Sequence, residues 1–233
     1  MKKRFAAFVS TVLAAVLCAC SAAPKDVLPN KAAQPTEAPT QQAKTTQAAP
    51  TEQPTPEPDP VQQLLEEMTL EQKVGQLFLV RPDSLDLSQT QDQINDAKAD
   101  GVTELTDAMR QTLAEYPVGG VVIFGKNLES PQQITQFLDD LQQASDTPLF
   151  TAIDEEGGLV ARLANNAAFD LPQYESAAAV GTSGNPEDAR AMGRTIGGYL
   201  KEYGFNLDFA PVADVLTNPD NKVIKDRAFG SDA

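Results

Sequence analysis

Three consecutive acids, Asp154, Glu155 and Glu156, follow the apolar run Leu149, Phe150, Ala152 and Ile153 without a gap. The pair Gly157-Gly158 comes next, and Arg162 stands eight residues after Asp154. Such a set concentrates hydrogen-bond acceptors and one planar fork of donors in a short span. The glycines let the backbone turn tightly there or approach a ligand closely. The apolar run is short, is preceded by Pro148, and reads as a strand buried on both faces, the kind found in parallel sheets covered by helices. Residues just past the carboxyl end of such a strand face the ligand crevice. Arg162 is close enough in sequence to return to the same rim. The same residues also fit an N-capping acid followed by a solvated acidic turn, and the stretch alone leaves both readings open.

The flanking sequence predicts the elements that must hold this rim. Thr69 and Gln72 form a T-x-x-Q capping box for a short helix with Leu70 and Val74 on its inner face, and Gln76 to Val80 reads as the first strand. Pro82 to Gly101 is polar and gives no assignment. Leu105, Met109 and Leu113 recur at four-residue spacing, one stripe of a helix over Glu104 to Glu115. Gly119 to Phe124 reads as the second strand, apolar on both faces. Ser130 caps a helix that begins at Pro131 and packs through Ile134, Phe137, Leu138 and Leu141. The central apolar run supplies the third strand. Asn185 caps a further helix, with Pro186, Glu187 and Asp188 in its first turn and a buried stripe of Met192, Ile196, Leu200 and Tyr203 before Gly204 ends it. The mid-helix pair Gly197-Gly198 lowers helix propensity and so predicts a close helix–strand contact. Asn206 to Val212 reads as the fourth strand. Strand and helix thus alternate four times, which argues for a parallel α/β architecture.

The chain opens with Lys2, Lys3 and Arg4 before an apolar run from Phe5 to Leu17, the pattern of a secretory signal and too short for a spanning helix. Leu17-Cys18-Ala19-Cys20 looks like a lipobox cleaved before Cys20, which makes residues 1–19 a lipoprotein signal peptide and Cys20 the lipidated residue. An ordinary signal peptide with incidental cysteines is the alternative. Both cysteines lie in this segment, so the rest of the chain has no thiol for a disulfide or a metal cluster. Residues 20–60 are rich in Pro, Ala, Thr and Gln without apolar periodicity and read as a disordered tether. A coil of ~40 residues spans roughly 35 Å. The net charge is −15, and removing the three bases of residues 1–19 leaves −18. That argues against nucleic acid or an anionic membrane surface as a partner, and leaves the lipid as the anchor.

The stretch from Asp154 to Leu163 resembles the D-x-E-G-G-x-V-x-R-[LF] segment of family 3 glycoside hydrolases, specifically their β-N-acetylhexosaminidase branch. Gly204 to Asp232, GFNLDFAPVADVLTNPDNKVIKDRAFGSD, looks like that family's next signature. MTLEQKVGQLFLV (Met68 to Val80) and VGGVVIFGKN (Val118 to Asn127) are similar to its first two barrel strands. The resemblance implies the N-terminal half of a (β/α)8 TIM-type barrel over residues 61–233, truncated after about four βα units. A whole barrel usually takes ~250 residues. It also implies substrate-binding roles for Asp154, Arg162 and Arg227: the carboxylate accepts from hydroxyls of N-acetylglucosamine and the arginines donate to the same sugar. Asp154 serving only as a salt-bridge partner for Arg162, and Arg227 only pairing with Asp214, are the structural alternatives. Glu155 and Glu156 are expected to cap the turn or orient the arginines, and Asp208 and Asp214 to support them from behind.

In the family, a K-H-x-P-G-H-G motif with the acid/base His follows this region, and the nucleophilic Asp comes later still. The sequence holds no histidine, so both catalytic groups are expected beyond Ala233 and none of the residues here is assigned a catalytic role. The implied activity is retaining removal of terminal β-linked N-acetylglucosamine, without metal or organic cofactor. The implied partners are muropeptides or chitin-type oligosaccharides, at the extracellular face of the cell membrane. The alternatives are a sugar-binding lipoprotein that has lost catalysis and a family 3 β-glucosidase.

Overall fold

The computed structural model describes residues 59–232. The expected signal peptide, Cys20 and all but the last two residues of the expected tether lie outside the described residues. Those last two belong to the folded part: Asp59 caps α1 (Pro60–Glu67), accepting from the Val61 N–H, so the folded chain starts slightly earlier than expected. After α2 (Leu70–Gly75) come β1 (Leu79–Val80), α3 (Gln91–Asn95), α4 (Asp107–Glu115), β2 (Gly120–Ile123), α5 (Pro131–Ala144) and β3 (Phe150–Ile153). A small antiparallel hairpin, β4 (Glu155–Gly157) and β5 (Val160–Ala161), leads to α6 (Ala177–Gly181), α7 (Pro186–Glu202) and β6 (Leu207–Asp208).

Strands β1, β2, β3 and β6 pair side by side in chain order, every neighbour parallel. Successive side chains alternate between the faces of a strand. Val121, Ile123, Thr151 and Ile153 therefore share one face, and each is 0–1% exposed. Helices α4, α5 and α7 seal it through Met109 and Leu113, through Ile134, Phe137, Leu138 and Leu141, and through Met192, Ile196 and Leu200. The opposite face is only partly covered: Ala152 is fully buried, whereas Phe150 is 52% exposed. The caps expected of α5 and α7 are present, Ser130 Oγ accepting from the Gln133 N–H and Asn185 Oδ1 from the Glu187 N–H.

Several expectations are corrected. The first strand is only Leu79–Val80, because Gln76 ends α2 and spends its side chain on the Pro117 and Val118 carbonyls. Helix α2 has its capping box, but Leu70 and Val74 are 71% and 46% exposed rather than on an inner face. Helix α4 starts at Asp107, after its Thr106 cap, rather than at Glu104. The polar Pro82 to Gly101 stretch is not formless. Asp83 sits fully buried, accepts from Val102 N–H (3.1 Å) and Asn127 Nδ2 (3.0 Å), and pairs with Lys126 Nζ at 3.2 Å. Polar anchoring, invisible to a search for apolar period, holds that segment down. The Gly197-Gly198 pair makes no close helix–strand contact. Both residues lie on the outer side of α7, where an added Cβ would meet nothing within 4 Å. The fourth strand is just Leu207–Asp208. Asn206 precedes it and ties it to β3 by side chain, accepting from the Thr151 N–H and donating to the Leu149 carbonyl, both at 2.9 Å.

Candidate functional site

The acidic triplet leaves β3 at its carboxyl end and folds straight into the β4–β5 hairpin. Gly157 and Gly158 make the turn at φ +82° and +66°, backbone that side-chain-bearing residues rarely adopt. A Cβ on Gly158 would also press on the backbone of Glu175 and Ser176. The hairpin brings Arg162 back beside Asp154, with Nη2 3.1 Å from Oδ2. Both side chains stay reachable, 34% and 28% exposed.

Each acid has a separate task. Glu155 is fully buried; its carboxylate accepts from the Leu163 and Ala164 N–H groups, each at 2.9 Å, and from the Tyr199 hydroxyl at 2.8 Å. It thereby staples the returning arm of the hairpin, Arg162 included, to helix α7. Glu156 receives a two-pronged bond from Arg227, Nε at 2.8 Å and Nη2 at 2.6 Å. Such a fork fixes the guanidinium plane as well as its place. Of the two tasks expected, capping the turn or orienting the arginines, Glu155 binds backbone N–H groups of the returning arm and Glu156 holds Arg227. Arg227 pairs with Glu156, not with Asp214, which is exposed and acts on Arg227 only through its charge. Asp208 does lie behind the triplet, accepting the Glu155 N–H at 3.0 Å.

Three of these carboxylates bear on the fourth, Asp208. Burial pushes the Asp208 carboxyl up to about 6; the Glu155 N–H pulls it down, and the charges of Glu155, Asp154 and Glu156 add to the rise. Burial, then the charge of Glu155, drives the Tyr199 phenol well above its ordinary range, so it stays a donor. The hydrogen bonds that Arg227 donates to Glu156 hold its guanidinium above the usual arginine range. A cavity of about 420 Å³ beside α7 touches Glu155, Glu156 and Asp208 but neither Asp154 nor Arg162. Its remaining lining is largely apolar, Met192, Ile196, Pro211 and Phe229 among it, and it is not the edge where Asp154 and Arg162 stand.

Sequence reasoning missed three side chains at this rim. Tyr199 sits three residues after Ile196 on the buried stripe of α7, a spacing that could have exposed it. Phe124, the first residue past β2, lies beneath the Arg81 guanidinium, Cζ 4.3 Å from the ring centroid, with Arg162 Cζ at 5.9 Å. Nothing in their spacing announces that Arg81 and Arg162 meet on one ring.

Charged groups thus gather past the carboxyl ends of parallel strands, where α/β domains of this kind carry their ligand sites. Residues 69–233 match the family model of the glycosyl hydrolase family 3 N terminal domain, and the chain belongs to that family. It is similar to the beta-hexosaminidase A of Pseudoalteromonas piscicida, 35% identical over 133 residues that make up 55% of this chain and 22% of the relative. A beta-hexosaminidase of Mycobacterium tuberculosis is 35% identical over 136 residues, 57% of this chain and 33% of the relative. The chain therefore spans well under half the length of these curated relatives. Among solved structures, a family 3 beta-N-acetylglucosaminidase from a Paenibacillus species superposes with a TM-score of 0.57 at 34% identity, over 70% of this chain and 28% of that one.

Proposed function

We propose that the full-length protein is an exported, lipid-anchored glycosidase that removes terminal β-linked N-acetylglucosamine, and that this chain supplies the sugar-holding part of its site. The observation that supports this best is the half-exposed Asp154–Arg162 pair past the carboxyl end of β3, in a family 3 domain whose relatives are named beta-hexosaminidases. Asp154 accepts from sugar hydroxyls, Arg162 donates to the same ring, and Arg227, aimed by Glu156, closes the other side. A carboxylate and two guanidiniums suit a polyhydroxylated ring carrying an amide, since they combine charged acceptors with planar donors. The reaction is a retaining double displacement. Its acid/base and nucleophile belong to the remainder of the barrel. Cys20 carries the lipid and places the domain on the extracellular face of the membrane, with muropeptides or chitin-type oligosaccharides in reach.

Two assays test this reading. Full-length protein should hydrolyse an aryl N-acetyl-β-glucosaminide and leave the aryl β-glucoside nearly untouched; the reverse preference would make it a β-glucosidase. Binding of N-acetylglucosamine without turnover would make it a sugar-binding lipoprotein. In a host that processes lipoproteins, intact mass should show acylation at Cys20, and a Cys20→Ala protein still lipidated would overturn that assignment.

A further inference from the structure

We infer that Arg81 and Phe124 are positioning residues for Arg162, forming a guanidinium–ring–guanidinium column that fixes the plane of the arginine at the sugar site. The inference rests on the reading of Arg162 as a sugar contact. Register carries the first part of the argument. Ile123 pairs with Ile153, so Phe124 and Asp154 stand level just past β2 and β3, and Val80 pairs with Val121, so Arg81 follows β1 level with Val122. Alternation along each strand puts all three on the face of the sheet opposite α4, α5 and α7. That is the face onto which the hairpin returns Arg162.

The second part is what holds Arg162. Its Nη2 meets Asp154, but its Nε is buried and has no hydrogen-bond partner among the described residues. One ion pair leaves a long side chain free to rotate its fork, and holding an arginine in one rotamer costs conformational entropy. The Phe124 ring supplies the missing restraint, because a guanidinium within ~6 Å of a ring centroid is attracted to it. Phe124 is in turn covered by Arg81 at 4.3 Å.

Arg81 does not float. Its Nη1 donates to the Ile94 carbonyl at 2.7 Å, and Lys126 Nζ donates to the same carbonyl at 3.2 Å and to Gln93 O at 3.1 Å. Lys126 is itself fixed by buried Asp83. Two cations thus converge on the carbonyl end of α3, and the Pro82 to Asn95 segment becomes a brace for the sugar site. Without the column, the polar segment and its buried ion pair have no evident connection to the rim; with it, they set the angle of Arg162.

The test uses full-length protein and an aryl N-acetyl-β-glucosaminide. Phe124→Leu and Arg81→Met should each raise KM, lowering kcat/KM about tenfold, a loss of 1.36 kcal/mol, with kcat little changed. Phe124→Tyr keeps the π face and should restore KM to within about twofold. Combined with Arg162→Ala, Phe124→Leu should add nothing, since the residue it positions is gone. Melting temperatures accompany each variant. If Phe124→Leu fails to fold, the half-buried Arg81→Met at the rim carries the test alone. Normal kinetics in both single variants, or losses additive with Arg162→Ala, overturn the column and leave the sugar reading standing. Normal kinetics in Arg162→Ala overturn the sugar reading and the column with it.

Discussion

Glu155 is the residue on which the geometry of the acidic turn depends, and replacing it with Gln measures that dependence. The carboxylate is fully buried and holds three donors: Oε2 takes the Leu163 N–H, while Oε1 takes the Ala164 N–H and the Tyr199 hydroxyl. Glutamine keeps one oxygen. Set where Oε1 lies, it retains two donors and turns its own NH2 towards the Leu163 N–H, which is left without an acceptor. A hydrogen bond to a buried charge contributes ~1.5–3 kcal/mol, and a buried orphaned donor costs ~1–3 kcal/mol. Relief of repulsion with Asp208 offsets part of this, so a net loss of about 2 kcal/mol is expected. Tyr199→Phe removes one donor and leaves both backbone bonds, so it should cost less, about 1 kcal/mol. Denaturant midpoints of the full-length protein at pH 7 give both values. The reasoning is refuted if Glu155→Gln costs under ~0.5 kcal/mol or if Tyr199→Phe proves the more damaging of the two.

Asp208 should make stability depend on pH. Its folded carboxyl titrates near 6 against an ordinary 3.8, so between those values the folded state holds a proton that the unfolded state has released. Its contribution is greatest below about pH 4 and is lost as pH rises through about 6. Asp208→Asn keeps an acceptor for the Glu155 N–H, and melts between pH 4 and 7 should show it gaining most at pH 7; a constant difference across that range would contradict the assignment. Gly181→Ala should loosen Arg227, because a Cβ there would run into the Phe229 carbonyl oxygen. Overpacking of this kind costs ~1–3 kcal/mol, and a melt unchanged from the parent would show that the 226–230 turn yields freely. Expressed by itself, residues 59–233 should self-associate, since among the described residues β1 and β6 each lack a neighbour on one side and Phe150 and Phe209 are 52% and 46% exposed. A monodisperse monomer with a cooperative melt by sedimentation and near-ultraviolet dichroism would refute that.

What the sequence made legible follows physical strength of signal. Helix α5 and helix α7 announce themselves through cap, proline and apolar stripe, and all three agree with the structure. The parallel order of four strands is equally readable from apolar runs spaced by helices. Strand lengths were not: just ahead of β1 and β6, Gln76 and Asn206 turn their side chains to neighbouring backbone, a choice no hydropathy pattern records. Gly197 and Gly198 misled for a related reason: a glycine weakens a helix whether or not a neighbour needs the space. At the site, the pairing of Asp154 with Arg162 follows from a tight glycine turn and eight residues of separation. The partnership of Glu156 with Arg227 spans 71 residues, and that of Glu155 with Tyr199 spans 44; neither has a local signal.

The central claim is that Asp154 holds the sugar, and the kinetics of Asp154→Ala in the full-length protein test it most directly. Removing a charged acceptor from sugar hydroxyls should forfeit ~2–4 kcal/mol of transition-state binding, at 1.36 kcal/mol per tenfold. The account predicts that kcat/KM for an aryl N-acetyl-β-glucosaminide falls by about two to three orders of magnitude while the protein still melts cooperatively. A folded Asp154→Ala protein with the parent's kcat/KM would show that Asp154 serves only as the salt-bridge partner of Arg162, and would contradict the account.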